Sequence, residues 1–502
     1  MVSVVGGPPE ALHEALRDAR GLIVRSETRV DAQLLGAAPH LEVVARAGVG
    51  VDAIDVDAAT AAGIVVVNTP SANTLAATEH TFALLLGAMR HVPQAHGSVH
   101  AGSWDRKGFV GHELHGKTLG IVGLGRIGSS VASRAAAFGM TVIAHDPYLA
   151  ASRARALGVE LCSFEEVLER AQIVTLHVPL TSQTLGMIER NALARMRDDA
   201  VLVNCARGAV IDAEALIEAL DAGRLRTVAI DVVPQEPPPP GSASARIMSH
   251  VRVVSTPHLG GSTYEALERI ALELAGDVVR VLGGRPASGA VNAPMLHGAD
   301  AERAGAFVDL ANRLGTLVPQ VFEDALRHEL ALVLQGELAS LDAEPFVAAL
   351  FAGALPLVTD RRVSLVNAAA TAREVGVRAS VSREDDASPF RSALVVAAGD
   401  HRVVGTVLPH GPRIVEIDGF EIDAVAEGTM LLTRHRDVPG MVGRIGTILG
   451  EADVNISTMQ VARSHRDGDA MMVLAVDRDV DRAVADRIAR VEGISSIRLV
   501  HL

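Results

Sequence analysis

The chain has two cysteines, one tryptophan and two tyrosines in 502 residues, and lysine occurs only at Lys107 and Lys117. Cys162 and Cys205 are far apart, so no disulfide framework and no cysteine-based metal site is expected, and the usage suits a reducing cytoplasm. The shortage of lysine beside abundant arginine reads as codon bias. Long apolar runs are missing too: stretches such as "FALLLGAM" are too short to span a bilayer. The opening "MVSVVGGPPEALHEALRDAR" lacks the charged-then-apolar pattern of a signal peptide. Net positive charge is absent. At a formal −14 the surface repels phosphodiester backbones, so nucleic acid is not an expected partner. An anionic small substrate then has to meet a local basic cluster.

With 49% hydrophobic and 21% charged residues, the chain has the balance of a globular protein with ample core. Its length implies three or four domains. Short β-branched runs, "GLIVRS", "LEVVARAG" and "GIVVVNTP", alternate with helical patterns over the first seventy residues. From Lys117 the rhythm sharpens: "TLGIVGLG", "MTVIAHDP", "QIVTLHVP", "AVLVNCARG", "TVAIDVVP" and "HVRVVSTPHLGG" read as strands separated by helices. This alternation predicts doubly wound parallel sheets. "PQEPPPPGSAS" has to be a loop. "GRPASGAVNAP" reads as a linker into a further α/β region, and the last seventy-odd residues read β-α-β-β-α-β, a ferredoxin-like pattern.

The tetrapeptide Gly-Arg-Ile-Gly occurs twice. The first follows a strand and opens a helix. Gly123 permits the tight turn, Gly125 lets the backbone approach a pyrophosphate, and Gly128 lets helix and sheet close up. Arg126 and Ile127 lie on the same turn, at a helix start whose free N–H groups favour an anion. Asp146, about twenty residues on, stands where a carboxylate accepts ribose hydroxyls and repels a 2′-phosphate, which favours NAD over NADP. The second copy has no such acid after it. There Met441, Ile445 and Ile448 fall at core spacing, and Gly440, Gly443 and Gly446 are expected to serve tight entry into the helix and close helix contact.

"VGLGRIG", "NCARGAVID", "IDVVPQEPP" and "TPHLGGST" stand in the order and spacing of the D-2-hydroxyacid dehydrogenases, and "ARAGVGVDAIDV" adds to them. The chain resembles that family, and within it the long-form members that act on 3-phospho-D-glycerate, over essentially its whole length. The resemblance implies two Rossmann-like doubly wound domains (substrate and NAD), an intervening α/β domain and a C-terminal ACT domain. The expected division is 1–72 and 259–291 for substrate binding, 73–258 for NAD, 292–427 intervening and 428–502 ACT. The implied catalytic set is Arg207, Glu236 and His258: the His takes the hydroxyl proton, the Glu holds its ring, and the Arg forks onto the substrate carboxylate. Val49, Val178, Cys205, Ala206, Asp231, Gly260 and Gly261, with Arg207 and His258 themselves, carry over as further NAD contacts; many relatives have a polar residue in place of Val49. Arg25, Arg46, Arg106 and Lys107 correspond to the cations around the substrate phosphate.

In the ACT segment His435, Asp437 and Asn455 match positions that hold L-serine in related modules, which implies feedback inhibition in a homo-oligomer, a dimer or tetramer. Trp104 corresponds to a packing or subunit-contact residue. "NAAATARE" fits the intervening domain without an assigned role. No metal is expected. Members usually begin with one more βα unit, roughly thirty residues, than is present before "VSVVGG"; either the start is misassigned or the substrate domain is shortened, and a shortened domain would have a sheet edge in need of cover. The alternatives are another D-2-hydroxyacid dehydrogenase, such as a glyoxylate or hydroxypyruvate reductase, and a non-catalytic NAD-sensing protein on the same scaffold.

Overall fold

The computed structural model describes residues 9–25, 27–284, 287–294, 296, 299–464 and 468–502. The segment before Pro9, to which the misassigned or shortened start belongs, lies outside the described residues, as do residues 285 and 286 of the expected linker.

The described residues form four sheets. In the first, β1 (Gly21–Val24), β2 (Val43–Arg46) and β3 (Val65–Val67) run parallel in the order β1-β2-β3. The second has β4 (Thr118–Val122), β5 (Thr141–His145), β6 (Glu160–Leu161), β7 (Ile173–Leu176), β8 (Val201–Asn204), β9 (Thr227–Ile230) and β10 (Val253–Ser255). Its order is β10-β9-β8-β7-β4-β5-β6, all parallel. Every residue of β7, β8 and β9 is buried, as the central strands of a sheet covered on both faces require. The order reverses between β4 and β7, and at that switch point a crevice opens at the carboxyl ends of the strands.

Two helices join these sheets. Helix Thr74–Met89 leaves the first sheet after β3 and packs on β8, β9 and β10. Asn73 occupies its cap position without capping it; the amide instead faces Gly261. Helix Tyr264–Leu282 returns to pack on β2 and β3. Thr263 accepts from Ala266 N at 3.1 Å and starts it. Ile270 and Leu274, four apart on one face, are buried, each contributing about 1.5–3 kcal/mol of burial.

The third sheet has β11 (Leu330–Gly336), β12 (Ala379–Glu384), β13 (Ser392–Ala398), β14 (His401–Leu408), β15 (Gly411–Ile417) and β16 (Phe420–Val425), in the order β12-β11-β13-β14-β15-β16. The "NAAATARE" run forms helix Ala368–Val375, and its Asn367 ties down the loop before it. Asn367 Nδ2 donates to Arg362 O at 2.9 Å, and Oδ1 accepts from Ser364 N at 2.8 Å. Arg362 so placed reaches the first sheet, bonding Leu41 O and lying 3.6 Å from Glu42. The run is therefore a fastener between the third sheet and the first.

The fourth sheet, β17 (Thr429–Arg436), β18 (Ile456–Arg463), β19 (Asp469–Val476) and β20 (Ile494–His501), is antiparallel in the order β18-β19-β17-β20. Helices Met441–Glu451 and Arg482–Ala489 cover one face. The other face, through Met430, Leu432, Met471 and Val473, shares a core with the third sheet. Met441 and Ile445 are buried, joined by Leu449, while Ile448 is only partly buried. Gly440 has φ 89° and supplies the tight turn. Gly443 and Gly446 depart from expectation: a Cβ added at either meets nothing within 4 Å. Their faces are open, so these glycines mediate no close helix contact among the described residues.

Candidate active site

The first Gly-Arg-Ile-Gly is a cradle. Gly123 has φ 92°, and a Cβ there would come within 2.6 Å of His177 O and 2.8 Å of the Val178 side chain. A Cβ at Gly128 would sit 2.1 Å from Gly123 O, so helix Arg126–Ala137 packs on the turn only because none exists. At Gly125 a Cβ would meet nothing within 4 Å; that backbone is open, with the helix N-terminus behind it. Arg126 donates to Pro70 O at 3.2 Å, tying the turn to the crossover. Asp146 closes the cradle: Oδ2 accepts from Leu124 N at 2.8 Å and Oδ1 from Tyr148 N at 2.9 Å. These features fit a dinucleotide, with the pyrophosphate on the open turn and a ribose against Asp146.

Arg207, Asp231 and His258 follow β8, β9 and β10 at the same edge. His258 Nδ1 lies 2.6 Å from Glu236 Oε2, and Glu236 Oε1 accepts from Val233 N at 3.1 Å. Beside a carboxylate Nδ1 carries the proton, so Nε2 keeps its lone pair and is the basic atom. The Glu236 hydrogen bond raises the His258 pKa above the ordinary value; burial and the Arg207 charge oppose it, while the charges of Glu236 and Asp231 reinforce it. Glu236→Gln should therefore lower the His258 pKa. In the role the resemblance implies, His258 is a base that acts when neutral, so the acid limb of kcat/KM for oxidation should move to lower pH, with kcat down about a hundredfold. A pH–rate profile that stays in place would remove Glu236 from this role.

Arg207 Nε donates to Asp52 at 2.9 Å and Nη1 to Ala206 O at 2.8 Å. Asp52 follows β2, so this ion pair spans the two parallel sheets. Gly50 makes room for it: a Cβ there would lie 2.0 Å from Arg207 Nη2. Gly208 does the same on the other side, against the Val233 backbone. Asn204, fully buried, accepts from Ala206 N and donates to Arg207 O, each at 3.0 Å, and so shapes the loop. Cys205 beside it has its thiol pushed up to about 12, chiefly by burial, which excludes a nucleophile. Val49 contributes its carbonyl to Asn68 Nδ2 at 2.6 Å.

Arg25 follows β1 and Arg46 ends β2. Burial and the Arg207 charge lower the Arg46 pKa, and Asp52, Glu27 and Arg25 also act on it. The structure thus brings Arg25, Arg46 and Arg207 together. It does not bring in Arg106 and Lys107, which are exposed on the loop after helix Val92–His100 and are not among the charges acting on Arg46. Trp104 in that loop is 81% exposed and packs no core.

Asp231 is 1% exposed. Its Oδ1 accepts from Thr256 Oγ1 at 2.6 Å and Leu259 N at 2.7 Å, with His80 Nε2 at 3.1 Å, and Oδ2 accepts from Gly260 N at 2.7 Å. Burial works to raise its pKa, but these donors outweigh it and the carboxyl is held below the usual range. Gly261 packs on Asn73. His177, behind Gly123, is pushed down to about 4 by burial and stays neutral.

In the fourth sheet His435 is buried in β17, which holds its pKa low, and Asp437 lies 3.2 Å from Arg463. Asn455 is not with them. His435 registers with Ala470, whereas Asn455 precedes Ile456, which registers with Val476 and through it with Thr429. Six residues of strand, about 20 Å, separate the two ends. Asn455 Nδ2 pairs instead with Asp477 at 2.6 Å.

Asp52, His80, Asn204 and Thr256 were not read from the sequence. Asp52 stands inside "ARAGVGVDAIDV", a segment the sequence does mark. His80 gave no signal, since a lone histidine in an apolar helix reads as core.

Residues 82–260 match the family model described as D-isomer specific 2-hydroxyacid dehydrogenase, NAD binding domain. Residues 303–418 match the D-3-phosphoglycerate dehydrogenase intervening domain, and 429–493 the ACT domain. The chain is similar to D-3-phosphoglycerate dehydrogenase of Bacillus subtilis (strain 168), 41% identical over 486 residues, 96% of this chain and 92% of that one. It is equally similar to that of Mycobacterium leprae (strain TN), 41% identical over 508 residues, covering 99% and 94%. Among solved structures it resembles D-lactate dehydrogenase from Aquifex aeolicus complexed with NAD and lactic acid, at 29% identity and TM-score 0.51 over 54% of this chain and 85% of that one.

Proposed function

The chain belongs to the D-3-phosphoglycerate dehydrogenase family, and from that premise we propose that its crevice oxidises 3-phospho-D-glycerate to 3-phosphooxypyruvate with NAD, the first step of L-serine biosynthesis. The observation that carries this is the His258–Glu236 pair, 2.6 Å apart, on the edge that also holds the glycine cradle and the Arg207–Asp52 pair. His258 Nε2 takes the C2 hydroxyl proton, and Glu236 stabilises the imidazolium formed. Arg207 presents its planar fork to the carboxylate and draws charge from the C2 oxygen. Arg25 and Arg46 supply cations for the phosphate, while Arg106 and Lys107 are left for a contact outside the single chain. NAD, when bound, accepts the C2 hydride. NADH formation followed by absorbance with 3-phospho-D-glycerate, glycolate, D-glycerate and D-lactate tests the assignment: 3-phospho-D-glycerate should be oxidised most efficiently. Preference for an unphosphorylated acid would move the chain to the glyoxylate or hydroxypyruvate reductases, and no turnover at all to an NAD-sensing role.

The ACT domain supports L-serine as a feedback effector. Because Asn455 lies at the far end of β18 from His435 and Asp437, a complete serine site takes two copies with their β18 edges antiparallel. That pairing sets Asn455 of a second copy beside the His435 end. Exposed apolar residues elsewhere, Val92, Val99, Trp104 and Val110, support a homo-oligomer as well. Asn455→Ala should raise the serine concentration for half-inhibition about tenfold, the loss of one polar contact, and leave kcat/KM unchanged. Inhibition curves that superimpose would remove Asn455 from the effector site. No helix among the described residues is long and apolar enough to cross a membrane, and two free cysteines support a cytoplasmic location.

A further inference from the structure

His258 holds a backbone conformation, φ 56°, that a residue with a side chain keeps only when its surroundings impose it. What imposes it is Asp231. Its carbonyl accepts from His258 N at 2.8 Å, and its carboxylate from Leu259 N and Gly260 N, each at 2.7 Å. One residue thus grips three successive N–H groups of the turn that carries the base.

Asp231 is itself held from helix Thr74–Met89. His80 Nε2 lies 3.1 Å from Asp231 Oδ1 and 2.9 Å from Thr256 Oγ1. The Thr256 hydroxyl has one proton, and at 2.6 Å it goes to Oδ1. Against a carboxylate oxygen and a hydroxyl lone pair, His80 Nε2 can only donate. The tautomer of His80 is therefore fixed, and so is its direction of action. The charged groups that act on His258 are Glu236, Asp231 and Arg207; His80 reaches it through the second of these.

We propose that His80 is a positioning residue for the reaction. By donating Nε2–H to Asp231 and Thr256 it locks the carboxylate that grips residues 258–260, and so sets where His258 Nε2 meets the substrate hydroxyl. This rests on the reading of His258 as the base. It also gives the connecting helix a part in the chemistry: the element that leaves the first sheet holds the catalytic turn of the second.

The test compares His80→Leu, which has no donor, with His80→Gln, whose amide nitrogen can replace Nε2. His80→Leu should lower kcat for 3-phospho-D-glycerate oxidation about tenfold or more, with KM held within about twofold. The less well satisfied Asp231 charge should raise the His258 pKa, moving the acid limb of the pH profile up by roughly half a unit. His80→Gln should recover most of both. A purely structural role would lower the melting temperature and active fraction without moving the pH profile. The second readout needs no substrate: the pH dependence of His258 modification by diethyl pyrocarbonate, quantified on its peptide by mass spectrometry, with His258→Asn as blank. If the wild type does not oxidise 3-phospho-D-glycerate, the substrate assignment fails while this profile still decides on His80. An unshifted profile in His80→Leu, or His80→Gln as impaired as His80→Leu, overturns the proposal.

Discussion

Replacing His258 by alanine should lower kcat/KM for 3-phospho-D-glycerate by about a thousandfold, in the middle of the range for loss of a positioned general base. The acid beside it and the histidine on the connecting helix are already committed. Glu236 is oriented by its bonds to His258 and to Val233 N, and His80 is committed as a donor to Asp231 and Thr256. The fold should survive, because the Glu236 side chain is 36% exposed and water can solvate the carboxylate left behind. NADH binding, followed by fluorescence, should persist, since the glycine cradle and Asp146 lie apart from the pair. A variant within tenfold of wild type would mean that another group, or solvent, takes the proton.

Arg207→Ala should be comparably severe for a different reason. Two charge-assisted hydrogen bonds to the substrate are lost, about 1.5–3 kcal/mol each, which converts to roughly a hundredfold to ten-thousandfold in kcat/KM. Both KM and kcat should suffer, because in the proposed role the fork binds the carboxylate and also polarises the C2 oxygen. Arg207→Lys should recover little, since an ammonium restores the charge without the planar pair of donors. The pH profile supplies an internal check. The Arg207 charge lowers the His258 pKa, so its removal should shift the acid limb upward, opposite to the shift expected for Glu236→Gln. Steady-state kinetics across pH on the two variants tests both signs at once; shifts in the same direction would contradict the electrostatic arrangement.

Much of the geometry of the candidate site was legible because it is local. The glycine cradle is a strand, a turn and a helix over residues 118–137, and Gly128 answers a contact within that unit, while Gly123 answers the chain at His177 and Val178, just past a neighbouring parallel strand. The acid that completes it directly follows the next strand of the same sheet. Arg207, Glu236 and His258 stand in short motifs after successive strands, and parallel strands deliver their ends to one edge whatever the loops between them do. The second Gly-Arg-Ile-Gly was legible in part. The apolar spacing and the turn at Gly440 follow from the helix itself. The role of Gly443 and Gly446 does not, because it depends on what stands opposite, and among the described residues nothing comes within 4 Å of a Cβ added there.

By itself the sequence determined the βα rhythm, the dinucleotide turn with its carboxylate, the order of the site motifs and the βαββαβ tail. All of these rest on interactions between residues near in sequence or on the regular geometry of a parallel sheet. Only the tertiary structure decided that Asp52 holds Arg207 across 155 positions, that His80 reaches Asp231 across 151, and that Arg362 ties the third sheet to the first across 321. It also decided that Asn455 stands at the opposite end of its strand from His435. Hydrogen bonds and ion pairs act over a few ångströms and are indifferent to chain distance. No local pattern encodes which distant segments will be brought within their reach; the packing of sheets and connecting helices does.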